Sequence, residues 1–317
     1  MMVIPLVLGC LTNTFFPGAL NIGGFTTHLF KNGAMPLIAV LFFCSGAQIN
    51  LRVAGLAAYK GSVLTLSKVL GGTLVGVLFA KAVGPDVALL GITPLALISA
   101  LGNNNGGLYT ALVAKYGDNA DVGGIAVLSS TDGPFYEMAL MGVAGVAAIP
   151  GMVLFATIFP ILLGMLLGNL DDKLRLFLKP GMGIAIAFFA FPLGAGLSLK
   201  TMLEAGPPGA LLAFFVLMTG VLCYYLFKLA VPRSKRRTCV AGAAVGTSAG
   251  NSLATPAAIA AVDPTWMPQM QLATAQVACA ILLTAIFCPL LVDFLYKREV
   301  KKGLINESIP AAVKISE

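Results

Sequence analysis

The feature that most limits what this chain can become is the spacing of its charges. Eight stretches of at least twenty residues carry no Lys, Arg, Asp or Glu: 1–30, 32–51, 87–114, 138–170, 180–199, 205–227, 238–262 and 264–292. About twenty apolar residues cross a bilayer as a helix, and a spanning helix satisfies its backbone polar groups internally. The pattern predicts an all-α polytopic membrane protein, since a transmembrane barrel would show short alternating segments instead. Composition agrees: of 317 residues, 58% are apolar and 10% charged, whereas soluble domains run at about 45–50% and about 25%. So few charges could not cover a water-facing surface.

Dividing the 138–170 run at Pro150-Gly151, a helix-breaking pair, and adding two apolar segments with internal charges gives ten spans. They are 2–16, 34–50, 61–80, 88–116, 122–147, 152–169, 180–199, 208–230, 238–261 and 267–293. The third contains Lys68, and the fifth contains Asp132 and Glu137. With ten spans both termini share a side, and sixteen basic residues between Arg52 and Lys314 fall there, against Lys31, Lys81 and Lys200 opposite. The positive-inside rule then puts both termini in the cytoplasm.

Other classes drop out. The +7 net charge sits in short loops between spans, so no nucleic-acid partner is expected. Six cysteines are scattered singly and His28, read as a loop residue, is the only histidine, so neither a disulfide framework nor a metal site is indicated. No cofactor is implied. No basic region precedes the first apolar run and no small-residue cleavage site follows it, so 3–16 reads as a span and not a signal peptide. HExxH, GxxxxGK[ST] and GxGxxG are all missing. Uphill transport would therefore draw on an ion gradient.

The two halves resemble each other. Pro5-x3-Gly9 recurs as Pro160-x3-Gly164, 155 residues on, and the pair Gly46-Ala47 recurs as Gly194-Ala195 after 148. Gly102-x3-Gly106 recurs as Gly246-x3-Gly250 after 144. Single matches of glycine and proline mean little, but these keep a common order with a slowly drifting offset. The reading is two five-span repeats, 1–150 and 151–300, with a cytoplasmic tail at 301–317. An odd number of spans inverts the second copy, a transporter architecture.

Two equivalent spans are broken. Gly102-Asn103-Asn104-Asn105-Gly106-Gly107 interrupts the fourth, and Gly246-Thr247-Ser248-Ala249-Gly250-Asn251-Ser252 with Thr255-Pro256 interrupts the ninth. Irregular backbone at membrane depth is tolerated where protein or a water-filled cavity satisfies it, and half-helix N-termini there suit a carboxylate. The competing reading is small-residue helix packing; recurrence at matching positions favours a substrate site. Its candidate residues are Asn104, Asn105, Gly106, Thr247, Ser248, Gly250, Asn251 and Thr255. An ionisable group inside a span is costly and faces a cavity or a partner. Asp132, between Ser129-Ser130-Thr131 and the Gly133-Pro134 break, is the first choice for proton coupling. Glu137 is the second, about 140° around an α-helix from it, and Lys68 is its alternative partner.

At these motifs the chain resembles the 2-keto-3-deoxygluconate permease family, which carries a pectin-breakdown sugar acid inward with protons. The resemblance spans nearly the whole chain and is clearest at Phe42-Phe43-Cys44-Ser45-Gly46-Ala47, Asn105-Gly106-Gly107-Leu108-Tyr109, Gly168-Asn169-Leu170-Asp171, Ser248-Ala249-Gly250 and Ala254-Thr255-Pro256. It departs from the pattern in having Asp132 where the family resembled has Glu, and in lacking a basic amphipathic leader. The family is distantly similar to cation/proton antiporters and bile-acid sodium symporters. That likeness implies a core domain of spans 3–5 and 8–10, with the broken fourth and ninth crossing at its centre. Spans 1, 2, 6 and 7 would form a panel, with the substrate between. The expected function is proton symport of this or a closely related sugar-acid anion, by alternating access. A sodium-coupled organic-anion carrier of the bile-acid type is the alternative, with the same Asn, Ser and Thr oxygens as ion ligands. An enzyme using Asp132 and Glu137 as a carboxylate pair is set aside, because their faces diverge.

Overall fold

The structure, a computed structural model, describes residues 3–52, 55–84 and 88–312. Residues 1–2 of the first expected repeat and 313–317 of the expected tail, Lys314 among them, lie outside the described residues. Among those described the regular structure is helical, apart from an isolated bridge between Leu89 and Ile92.

The first half runs α1 (Val3–Phe15), α2 (Gly24–Phe30), α3 (Ala34–Gln48) and α4 (Leu56–Lys68). A π-helical turn at Val69–Thr73 leads into α5 (Leu74–Val83). Then come α6 (Pro94–Gly102), α7 (Gly106–Tyr116), α8 (Asn119–Gly123), α9 (Ile125–Leu128) and α10 (Phe135–Ala144). The second half comprises α11 (Gly151–Leu170), α12 (Asp172–Leu178), α13 (Gly181–Ala195), α14 (Leu199–Ala230), α15 (Val240–Ala244), α16 (Ala254–Val262) and α17 (Met267–Lys301).

Helix thus occupies each of the ten apolar stretches, but unevenly. Five segments are long and apolar enough to cross a bilayer unbroken: Leu56–Val83, Gly151–Leu170, Asp172–Ala195, Leu199–Ala230 and Pro264–Lys301. A sixth arises if α2 and α3, bent by 61°, are taken as one. The remainder are short (α1 has 13 residues) or divided into half-helices. His28, expected in a loop, lies in the last turn of α2. The fifth stretch is broken as well as the fourth and ninth: a 3-10 turn at Ser129–Thr131 gives way to extended backbone at Asp132 and to Gly133 at φ 100°. Pro134 then supports the start of α10. This correction matters, because the 140° separation expected of Asp132 and Glu137 assumed an unbroken α-helix.

The helices sort into two groups. α1 packs on α13, and α3 on both α11 and α13. The contacts are backbone to backbone, made possible by the glycines singled out in the sequence. A Cβ at Gly9 would strike the Phe191 carbonyl oxygen, and one at Gly194 would strike that of Leu6. Equivalently, a Cβ at Gly164 would strike the Phe43 carbonyl and one at Gly46 that of Ile161. In the second group, α14 lies along α17 and α15, α4 and α6 pack on α14, and α5 packs on α6. Lipid-type surface is plain on α11, where Phe155, Phe159, Leu162 and Leu166 are exposed.

Polar ties close one end of the second group. Lys60, fully buried, donates to both oxygens of Asp118 at 2.8 and 2.6 Å and to Asp121 Oδ1 at 2.9 Å. Asp118 also caps α8 and accepts the Arg237 N–H at 3.2 Å. The chain beyond α17 folds back over this end, where the Asn306 N–H donates to the Arg237 carbonyl and Arg237 Nη1 to that of Ile309. Burial pushes the Asp121 carboxyl up to about 6, opposed by the neighbouring Lys60 charge.

Candidate functional site

Between the two helix groups lies a cavity of about 840 Å³. Ligand pockets are commonly about 300–1,000 Å³. Its walls come from six stretches: α3 (Ser45, Gln48), the fourth-span break (Asn104 to Gly107), the fifth (Ser129, Asp132), α13 with Lys179 before it, the ninth-span break (Ala249 to Asn251), and α17 (Ile281).

Sequence chemistry explains why the fourth and fifth stretches break here. Asn105 leaves the helical region and its Oδ1 accepts the Leu108 N–H at 3.0 Å, capping α7. Its own N–H donates to Thr247 Oγ1 at 2.9 Å, so the two broken spans meet directly. Neighbouring Asn104 is steadied by Thr131, whose Oγ1 lies 3.1 Å from Asn104 Oδ1. Gly106 and Gly107, at the exposed start of α7, leave the cavity wall there without side chains.

Asp132 is the junction of this wall. The Ser45 hydroxyl on α3 donates to its Oδ2 at 2.6 Å, and Asn251 Nδ2 donates to its Oδ1 at 3.0 Å. A carboxylate accepting hydrogen bonds from two donors is held strongly. Here one donor belongs to each helix group.

The ten expected site residues do not all gather. Asn104, Asn105, Gly106, Gly250, Asn251 and Asp132 line the cavity. Thr247, Ser248 and Thr255 are buried behind it. Thr247 acts through Asn105, whereas the Ser248 N–H donates to Thr284 Oγ1 at 3.3 Å and its hydroxyl lies 3.2 Å from that of Ser252. Glu137 lies deeper still, its Oε1 pressed on Gly102 and its Oε2 without a hydrogen-bond partner among the described residues. The pairing of Glu137 with Lys68 raised by the sequence is not formed. Lys68, fully buried, instead donates to the carbonyls of Val245 at 3.0 Å and Thr247 at 3.3 Å.

Three cavity residues were missed as candidates. Ser45 and Gln48 sit on a helix whose apolar pattern gave no signal beyond the family motif. Lys179, an exposed lysine between α12 and α13, is the cation among the lining residues. Arg52 and Arg175 in the same corner are committed to Asp172, at 3.4 and 2.9 Å. Lys179 makes no ion pair among the described residues.

A bundle of apolar helices, parted by a cavity into which broken helices open, is the architecture of a membrane transport protein. Comparison with known proteins gives the particular kind. The family model described as 2-keto-3-deoxygluconate permease matches residues 1–301. The chain is 42% identical over 308 residues to 2-keto-3-deoxygluconate permease 1 of Salmonella typhimurium, covering 97% of this chain and 96% of that one. It is 36% identical to the 2-keto-3-deoxygluconate permease of Xanthomonas euvesicatoria, covering 96% of each chain. With that of Bacillus subtilis it is 37% identical, covering 92% and 88%. The chain belongs to the 2-keto-3-deoxygluconate permease family.

Proposed function

We propose that this permease is a secondary active symporter, importing 2-keto-3-deoxygluconate or a closely related sugar-acid anion with protons by alternating access. Asp132 is the proton-coupling residue. The observation that carries the reading is its position: one carboxyl accepts hydrogen bonds from both helix groups at the wall of the cavity between them. Protonation removes acceptor capacity from Asp132 and loosens the Ser45 contact, so the groups separate more readily once the acid is neutral. A symporter needs such a mutual dependence of proton and substrate occupancy.

In this reading ten spans form two inverted repeats with cytoplasmic termini. The glycine contacts support it, because α1 meets α13 as α11 meets α3, the pairing an inverted repeat predicts. The first helix group is the panel and the second the core. The lining residues of the fourth span follow its break and those of the seventh lie at its beginning, so the cavity opens to the cytoplasm. Asn104, Asn105, Gly106, Gly250 and Asn251 hold the substrate, with the start of α7 facing its carboxylate. Thr247, Ser248 and Thr255 support them from behind.

The test is uptake of labelled sugar acid with sodium removed, with and without a protonophore. Accumulation that survives sodium removal and collapses with the protonophore is expected. Accumulation requiring sodium would overturn proton coupling. Failure to accumulate any sugar acid would overturn the substrate, and absence of counterflow would overturn the carrier.

A further inference from the structure

The break in the ninth span leaves backbone carbonyls without helical partners, and something must satisfy them. α15 ends at Ala244 and the chain does not turn helically again until the 3-10 turn at Gly250–Leu253. Val245 and Thr247 therefore point carbonyl oxygens into the protein. Backbone carbonyl oxygens are among the ligands that hard cations take.

Here the cation belongs to the chain. Lys68 is fully buried, has no carboxylate within ion-pair distance among the described residues, and gives its ammonium to those two oxygens. The ionisable groups that its charge meets from the neighbouring helices are Glu137, Cys223 and Cys288. A buried charge without a counter-ion is expensive unless dipoles solvate it, and the peptide carbonyls are what this structure offers. Lys68 also sits at the last position of α4, before the π turn. Such turns occur often at functional sites. On the same turn, a Cβ at Gly72 would strike the Leu101 carbonyl, at the end of the helix leading to the other break. One segment therefore braces both broken spans.

We propose that the Lys68 ammonium is a tethered cation at the ninth-span break, filling the Val245 and Thr247 carbonyl site that would otherwise take a free monovalent cation, and so making substrate binding independent of sodium. Lys68 is a positioning residue. It fixes Thr247, whose Oγ1 fixes the Asn105 N–H, and Asn105 lines the cavity. Without the ammonium, the carbonyls are left unpaired until another cation enters.

The proposal rests on the carrier reading for its effect on substrate, but its first test contains no substrate. Thermal stability of purified wild type and Lys68→Ala is compared in choline chloride, sodium chloride and methylammonium chloride. The wild type is expected to show equal stability in all three. Lys68→Ala is expected to lose stability in choline and to regain it selectively in methylammonium or sodium. Lys68→Met, which refills the volume with an uncharged chain, serves where the alanine variant does not fold; it is expected to be weakened and to ignore every cation.

Binding of 2-keto-3-deoxygluconate follows by calorimetry. Lys68→Ala in choline should bind at least tenfold more weakly than wild type and recover in methylammonium, and Lys68→Met should be equally weak without recovery. Wild-type stability or affinity in either variant overturns the proposal, as does a wild type that needs sodium, or an alanine variant whose loss no cation reverses. If no sugar acid binds the wild type while the methylammonium response appears, the substrate reading fails and the tethered cation stands.

Discussion

The two broken spans match in sequence position but are used differently. The fourth-span break is turned outward: Asn104, Asn105, Gly106 and Gly107 form one continuous piece of the cavity wall. The ninth-span break is turned inward, with Thr247 and Ser248 buried and only Ala249, Gly250 and Asn251 reaching the cavity. Their supports differ accordingly. Asn105 caps its own half-helix, a local solution. The ninth break is held by Lys68, 177 residues away at Val245, and by Thr284, 36 residues on from Ser248. Two segments that match in sequence can therefore divide the labour. One presents polar atoms to the cavity, while the other is anchored from behind and reaches Asp132 through Asn251.

The largest effect expected from this division falls where the two meet. Asp132→Asn keeps the shape of the side chain but cannot take up or release a proton. Concentrative uptake should fall to background, while counterflow or calorimetric binding persists. Proton-driven accumulation in this variant would move coupling elsewhere, with Glu137 next in line.

A smaller effect separates the two breaks. Asn105→Ala removes both a cap, about 0.5–2 kcal/mol, and a cavity amide. Loss of one hydrogen bond to a charged ligand is about 1.5–3 kcal/mol, so sugar-acid affinity should drop by about tenfold or more. The sequence alone ranked Ser248 beside it. Because the Ser248 hydroxyl meets that of Ser252 and, among the described residues, does not line the cavity, Ser248→Ala should lower thermal stability and leave affinity within about twofold, less than the about 1 kcal/mol typical of a hydrogen bond. Equal losses of affinity in both variants would erase the distinction drawn here.

How far this was legible depended on range. The membrane class and the breaks in the fourth and ninth stretches followed from charge-free runs interrupted by Asn, Gly, Ser and Pro, all local signals; the loss of helix at Asp132 in the fifth did not. Which broken-span residue faces the cavity did not follow. The 3-10 turns at Ser129–Thr131 and Gly250–Leu253 reset the helical phase, so periodicity gave no direction for Ser248 or Thr255. Lys68 and Lys179 were equally opaque. A lysine inside an apolar run and a lysine in a loop carry no sequence mark of the carbonyls or the cavity that tertiary packing brings to them.

Lys179 supplies the next test. It is exposed, so an interaction with a bound carboxylate is worth about 0.2–1 kcal/mol. Lys179→Met should weaken sugar-acid binding by less than about fivefold and make the remaining affinity less sensitive to salt, since screening acts on exposed charges. An unchanged salt dependence would remove Lys179 from recognition and leave the anion to the broken helices alone.

The smallest effect concerns how the two breaks are tied at one end. Asp118 and Asp121 follow α7, Lys60 lies near the start of α4, and the Arg237 N–H that Asp118 accepts precedes α15. Burial raises Asp121 from 3.8 to about 6 in spite of Lys60. The folded protein therefore binds this proton more tightly than the unfolded chain does. Its contribution to stability is greatest below the unfolded value, declines as pH rises from about 4 to about 6, and is level above that. Thermal melts across this window, for wild type and for Asp121→Asn, isolate the contribution because Asn does not titrate. The wild-type advantage over the variant should shrink with rising pH and then stop changing. An advantage that grew with pH through the same window would mean that the Lys60 ion pair outweighs burial, and that the tie is strongest when Asp121 is charged.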